Sequence, residues 1–400
     1  MVAMRFSPAS SLETTLPTEP GRARIHLHRR PTCWPVPTQE TLIGAAAGDA
    51  LEATAAWERS QTVSDLDPRL LPQVYCNLTR HGCEDARDVK SHYDAALEQN
   101  QGHFARMSPV LRGLHLAGIP TLLLHGVALS LAVYRDPGAR PIRDFQVLVP
   151  ADEADRALDF LAEKGWRSLE GRQMGLTEAQ RRYRHAMHLV NATGQTLRLY
   201  WHLLAQSRTE KADEEFWKQA WPVCWGEEWS LVLAPTHQLL HTCAQSLSGD
   251  PQWAVDALIL IRQCKIDWEE LLRLARRHDL VLLLGDALGY LQHAFHTRIP
   301  RSVVWRLDGE PVQRGAEMEY RCLSEPLGRH GPVVRMAQTY RTYWRGTWDL
   351  SLTECLKGFP AYLADRAQLP GVSSLPGYWL GAAFQRKRHD SVSRPSIGSP

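Results

Sequence analysis

The chain has no Cys-x-x-Cys pair. Its cysteines, Cys33, Cys76, Cys83, Cys224, Cys243, Cys264, Cys322 and Cys355, are scattered without a close cluster. That excludes a zinc ribbon and a disulfide framework, and it points to reduced thiols in a cytoplasmic setting. Net charge is scarce too: 46 Lys and Arg against 44 Asp and Glu leave only +2. A general polyanion binder carries a larger basic excess, so no nucleic-acid partner is expected. Long apolar runs are also missing. The longest candidate, "LHLAGIPTLLLHGVALSLAV", is interrupted by His115, Pro120, His125 and glycines. It reads as helix end, strand and helix start, and no transmembrane segment is expected. The opening stretch, "MVAMRFSPASSLETTLPTEPGRARIHLHRRPT", lacks the apolar centre of a signal peptide. No internal repeat is present.

What is there suits a globular protein. With 400 residues, 44% hydrophobic and 22% charged, the chain can bury one large core or several smaller ones. Residues 1–38, rich in Pro, Ser, Thr and Arg, carry no period and read as a mobile arm. Residues 39–118 read as helical and end in "HFARMSPVLRGLHLAGIP", where Phe104, Met107, Leu111 and Leu114 share one helix face. Gly118 and Pro120 stop that helix. Between 119 and 233 the period changes. "TLLL" and "DFQVLVP" are short apolar runs bounded by turn residues, hence buried strands. "ADEADRALDFLAEKGW" is a helix closed by Gly165, and "HAMHLVN" and "QTLRLYWHL" are strands joined by the turn "ATG". Residues 234–384 read as helical again, with Thr236 as one cap and Asp267 and Glu270 in capping-box spacing. Residues 385–400 form a second arm. The expected fold class is α+β: a small mixed sheet with helical segments on both sides, mostly helical overall.

One stretch carries chemistry. "LLLHGVALSLAVYRDPGARPIRDFQVLVP", residues 122–150, reads as strand, glycine turn, short helix, loop and a second strand bearing Asp144. A helix ending in Gly-Trp and a strand ending "LYWHL" follow it. This order resembles the nucleotidyltransferase superfamily and is most similar to the bacterial proteins grouped as nucleotidyltransferase family proteins. "LLPQVYCNL", "AGIPTLLLHG", "YRDPGARPIRDFQVLV" and "WAVDALILIRQCKIDWEELLRLARRHDL" extend the resemblance over roughly residues 40–300. It implies a nucleotidyltransferase-like α/β core at 119–233 and Mg²⁺ held by carboxylates at alternate positions of one strand plus a third on its neighbour. Alternate residues share a face, so such a pair can bridge metal ions to a nucleoside triphosphate.

Here the chain departs from that pattern. Gly126 and Asp144 stand where the resemblance places them, but the second acid position holds Gln146 and the third holds Arg198. His125 stands where the family often has Lys. A neutral amide adds no charge to a metal site, and a permanent cation opposes one. Asp144 is therefore the candidate catalytic residue and metal ligand, with His125, Gly126, Arg140, Gln146 and Arg198 as candidate substrate or phosphate contacts. The plainer reading of Asp144 is a carboxylate paired with Arg140 or Arg143. Asp256 reads as a buried hydrogen bonder, and Tyr200, Trp201 and His202 as packing beside the pocket. His237 and His241 have a chelating i, i+4 spacing but no third ligand. The Trp-rich segment "YRTYWRGTWDLSLTECLKGFPAYL" reads as a peripheral packing helix, or as a partner-binding or membrane-proximal surface. Two functions remain open. One is a degenerate nucleotidyltransferase-fold protein that binds a nucleotide, a peptide or a protein partner in a bacterial biosynthetic pathway. The other is an active enzyme moving a nucleotidyl group to a small-molecule or peptide acceptor.

Overall fold

The computed structural model describes residues 31, 33–60, 66–171, 173–208, 211–325, 331–347, 350–369 and 371–377. Residues 1–30 of the expected arm and the whole 385–400 tail lie outside them. The end of the arm is described, and there Trp34 packs against Trp253 and Tyr290. Helices come first: α1 (Pro37–Ala47), α2 (Ala50–Ser60), α3 (Leu71–Arg80) and the 27-residue α4 (Lys90–Leu116). Met107, Leu111 and Leu114 form the buried face of α4, with Phe104 half-buried beside them. The helix ends because Gly118 adopts φ +76°, a left-handed conformation that glycine tolerates without a Cβ penalty.

Beyond that stop the chain builds a sheet. β1 (Leu122–Leu123), α5 (His125–Leu129) and a π-helical turn (Ser130–Tyr134) lead through a loop to β2 (Phe145–Leu148). Then come α6 (Ala154–Glu163), β3 (Arg167–Ser168), α7 (Glu178–Tyr183), β4 (Ala186–Val190) and β5 (Thr196–Tyr200). A short α8 (Glu214–Lys218) precedes the hairpin β6 (Trp221–Trp225) and β7 (Glu228–Val232). The seven strands lie in the order β3-β4-β5-β2-β1-β7-β6. β2 pairs parallel with β5 and β1 with β7, while the other neighbours are antiparallel. The expected strands at 121–124, 144–150, 185–191 and 195–203 all enter this one sheet. The hairpin was not foreseen: Trp221, Trp229 and Glu228 give it an amphiphilic mixture with no clean alternation.

The rest is helical: α9 (Pro235–Ala244), α10 (Gln252–Gln263), α11 (Trp268–Arg277), α12 (Val281–Phe295), α13 (Arg301–Gly309), α14 (Arg314–Ser324), α15 (Pro332–Arg345) and α16 (Leu352–Arg366). The fold is α+β and mostly helical, as the sequence suggests. Asp267 caps α11 by accepting from the Glu270 N–H at 3.0 Å. Thr236 does not cap α9. Ala234 holds that position, with Pro235 in the first turn, and Thr236 Oγ1 accepts from the Asp267 N–H instead. Among the described residues no helix is long and apolar enough to cross a membrane. In the Trp-rich segment, Tyr343, Cys355 and Tyr362 pack with Tyr183 in a small core of their own, while Trp344 and Leu356 stay exposed.

The sheet divides two cores. Period-two alternation sends Phe145, Val147, Leu197 and Leu199 to the side covered by α4 and α6, while Leu122, Leu148 and Tyr200 face α1, α3 and α9–α12. A buried Asn100 on α4 fixes the loop that enters β2. Its amide donates to the carbonyls of Pro137 and Arg140, and its Oδ1 accepts from the Ile142 N–H at 2.9 Å. Replacing it as Asn100→Ala would strand one buried donor and two acceptors. We expect a loss of about 2–4 kcal/mol in urea unfolding, with backbone amides of 136–144 exchanging faster while those of α6 do not.

Candidate functional site

Asp144, Gln146 and Arg198 meet on the side of the sheet that faces α9 and α10. Gln146 and Arg198 are direct partners in the parallel β2/β5 ladder. Since Phe145 and Leu197 point into the opposite core, the alternate residues Gln146 and Arg198 must point away from it. Asp144 stands one residue ahead of β2 rather than within it, yet shares the face of Gln146. The amide of Gln146 donates to Asp144 Oδ1 at 2.7 Å, and Arg198 Nη2 lies 3.4 Å from Asp144 Oδ2. Tyr200, expected only to pack, closes the circuit. Its hydroxyl donates to Gln146 Oε1 at 3.0 Å and accepts from Arg198 Nη1 at 3.3 Å. The Asp144–Arg198 pair is only partly buried, with side chains 24% and 33% exposed, so solvent screens it strongly.

The opposite wall comes from the end of α9, the turn after it and α10. Together they enclose a cavity of about 290 Å³ that includes His125, Gly126, Arg140, Asp144, Gln146 and Arg198. Every candidate residue is thus brought together. Sequence reading missed Thr242, Gln245, Ser248, Asp250 and Gln252 on this wall. The polar turn "SLSGDP" between two buried helices was the available signal, because such loops often carry ligand contacts.

Arg140 lines the cavity but is committed to the protein. Its Nε and Nη2 reach the Asp256 carboxylate at 2.9–3.0 Å, and its Nη1 donates to Gln252 Oε1 and the Pro141 carbonyl, both at 2.7 Å. Tyr134 adds a hydrogen bond to Asp256 at 2.7 Å. Burial works against the Arg140 cation, but the adjoining Asp256 carboxylate outweighs it and holds the guanidinium pKa above its ordinary value. Arg140 therefore braces the site and has little left to offer a ligand. Neither Arg140 nor Arg143 is the partner of Asp144: Arg143 lies 3.8 Å from Asp250, which also faces Arg69 at 3.7 Å.

The turn before α5 holds a surprise at its first residue. The left-handed conformation falls on His125, φ +52°, and not on Gly126. Histidine is among the side chains that enter this region more readily than most. A Cβ on Gly126 would meet Arg140 Nη1 at 3.4 Å, an ordinary contact, so protein packing does not require glycine there. His125 is half-buried in the cavity wall beside His241, ring centroids 4.4 Å apart, and its Nε2, itself shielded from solvent, has no hydrogen-bond partner among the described residues. Burial first, then the charges of His241, Arg198 and Arg140, hold its pKa well below the usual histidine range. It is a neutral imidazole and cannot serve as a cationic phosphate ligand.

The donor set does not suit a hard divalent ion. Asp144 has one oxygen occupied by the Gln146 amide and the other beside a guanidinium, and the remaining carboxylates, Asp250 and Asp256, each face arginines. Divalent magnesium wants several anionic oxygens in near-octahedral array. Among the described residues no group of three or more His, Cys, Asp or Glu side chains could hold a metal ion. His237 and His241 do not form one either: His237 packs edge-on against Phe216 and lies 3.6 Å from Glu270, whereas His241 faces His125.

A strand–turn–helix–strand unit in a mixed sheet, opening on a polar cavity against a helical layer, defines a nucleotidyltransferase-like α+β protein. Residues 57–296 match the family described as "Uncharacterised nucleotidyltransferase", and the chain belongs to that family. No curated protein matches it. The matched span holds the sheet, the cavity and α9–α12, and ends before α13.

Two outcomes follow from this geometry. Because the Asp144–Arg198 pair is long and screened, a double-mutant cycle of Asp144→Asn and Arg198→Ala in urea should show coupling of about 0.5–1 kcal/mol, less than the ~3–5 kcal/mol of a fully buried pair. A larger value would mean that the pair closes in solution. The second outcome concerns pH. Burial pushes His241 down to about 4 from an ordinary 6.5, so the unfolded chain takes up this proton before the folded one does. Its contribution is complete above about pH 6.5 and is lost as pH falls toward about 4, amounting to about 3 kcal/mol. The urea midpoint should fall across that window, and His241→Leu should flatten the slope.

Proposed function

We propose that this chain is a catalytically degenerate nucleotidyltransferase-fold protein whose cavity binds a small polar ligand without a metal ion. The observation that supports this reading is the Arg198 guanidinium, 3.4 Å from Asp144 on the neighbouring strand. Nucleotidyl transfer by two metal ions needs anionic oxygens to hold cations that bridge triphosphate and attacking hydroxyl. At this position a fixed cation neutralises the one carboxylate of the strand pair, and Gln146 supplies a neutral amide beside it. What the residues can do is bind. The Asp144–Gln146–Tyr200–Arg198 circuit offers charged and neutral hydrogen-bonding groups on a rigid sheet, and Arg140 with Asp256 fixes the wall opposite. Service as a binding component of a bacterial biosynthetic pathway rests on the family resemblance, and a cytoplasmic setting on eight free thiols.

The competing reading, transfer of a nucleotidyl group from a nucleoside triphosphate to a small-molecule or peptide acceptor, is favoured by family membership. One assay separates the two. Purified protein incubated with ATP, GTP, CTP or UTP and Mg²⁺ should release no pyrophosphate above the buffer rate, and Asp144→Ala should change nothing. Pyrophosphate release that disappears in Asp144→Ala would establish the enzyme and end the binding-only reading.

A further inference from the structure

Two kinds of ion pair share the cavity wall. At its base Arg140 and Asp256 are 10% and 3% exposed and meet at 2.9 Å. Both are filled by the protein. At its mouth Arg198 lies 3.4 Å from Asp144 and Arg143 lies 3.8 Å from Asp250 Oδ2, all four side chains between 24% and 55% exposed, while Asp250 Oδ1 accepts from the Gln252 N–H at 3.2 Å and faces Arg69 at 3.7 Å. These mouth pairs are too long to saturate either partner, so each cation and each anion keeps hydrogen-bonding capacity for something that enters.

The balance of charge restricts what that is. Arg140, Arg143 and Arg198 line the cavity against Asp144, Asp250 and Asp256, Arg69 beside Asp250 is matched by Asp67, and the His125 imidazole, its pKa held low, adds no cation. A nucleoside triphosphate arriving without metal would bring a large negative charge to a wall with no cationic excess. A zwitterion brings none, and it matches both signs. Size agrees: about 290 Å³ lies at the small end of the ~300–1,000 Å³ usual for small-molecule pockets. Leu129 and Trp253 add apolar surface to the same cavity.

We infer that the cavity takes a small zwitterion of α-amino-acid size. Its carboxylate is received by Arg143 and Arg198, its ammonium by Asp144 and Asp250, and its side chain lies against Leu129 and Trp253. This inference rests on the reading of the cavity as a metal-free binding site.

The test is isothermal titration of the full chain, in EDTA, with each proteinogenic L-amino acid in turn and with ATP for comparison. At least one amino acid should bind saturably at millimolar concentration or below. Its N-acetyl and its carboxamide derivatives should each bind roughly tenfold or more weakly, as should the amino acid itself to Arg143→Ala and to Asp250→Asn. Blocking the ligand needs no altered protein, so the test survives if a variant misfolds. Absence of binding by every amino acid, undiminished binding of either blocked derivative, or tighter binding of ATP in EDTA would each overturn the zwitterion. None of these would touch the metal-free reading, whose own failure shows separately as magnesium-dependent pyrophosphate release.

Discussion

Arg140 and Asp256 are both nearly inaccessible to solvent, one on the loop before β2 and the other on α10. Taking two charges out of water is expensive, and their attraction compensates only when geometry is good and the remaining donors and acceptors are filled. Here they are filled: Gln252 and the Pro141 carbonyl take Arg140 Nη1, and Tyr134 completes Asp256. Gln252 passes the connection on, donating to the Arg69 carbonyl just ahead of α3 at 2.9 Å. The pair thereby ties three parts of the chain together: the N-terminal helices, the sheet and the C-terminal helices. Where β2 begins, and so where Asp144 stands, follows from that tie and from the grip of Asn100 on the same loop.

The sheet then sorts chemistry by face. On the α4/α6 side every strand except β3 contributes apolar residues. The other side combines apolar residues from β1 and β2 with the polar circuit around Asp144, and α9 and α10 cover it. That arrangement explains why the histidines there are neutral. Burial disfavours protonation of both His125 and His241, and for His125 the nearby charges of His241, Arg198 and Arg140 add to it. It also explains why Arg198 is tolerated: Asp144 and the Tyr200 hydroxyl give its guanidinium partners, and a third of the side chain remains in water. A charge that a metal site would reject fits here because no second carboxylate needs compensating.

Much of this was legible in the residues. Period two in "DFQVLV" and "TLRLY" set which side chains share a face, and Gln146 and Arg198 stood out in the sequence as a neutral amide and a cation where the resemblance implies acids. Local signals also placed α4 and its stop at Gly118, α6 and α11, because hydrophobic spacing and end residues act within a few positions of themselves. The hairpin at β6 and β7 was not legible, since its edge position leaves Trp221 and Trp229 half exposed and blurs the alternation that a buried strand would show. The Thr236 cap failed for a related reason: Pro235 already supplies a first-turn residue with no N–H to satisfy, which freed the threonine hydroxyl for Asp267.

What the sequence could not decide was pairing across long separations. Asp144 had three arginines within reach of argument, and nothing in their spacing distinguished them. Arg140 went to Asp256, 116 residues away, and Arg143 to Asp250, while Arg198 was left for Asp144. The choice depends on where α10 lies against the sheet, which is set by apolar packing shared among residues from 34 to 307. The sequence by itself determined the elements, their faces and the residue types, Asp144, Gln146 and Arg198, that the sheet brings together. Only the tertiary structure decided which charge neutralises which, because Coulomb and hydrogen-bond energies depend on distances that the chain acquires when its helices dock.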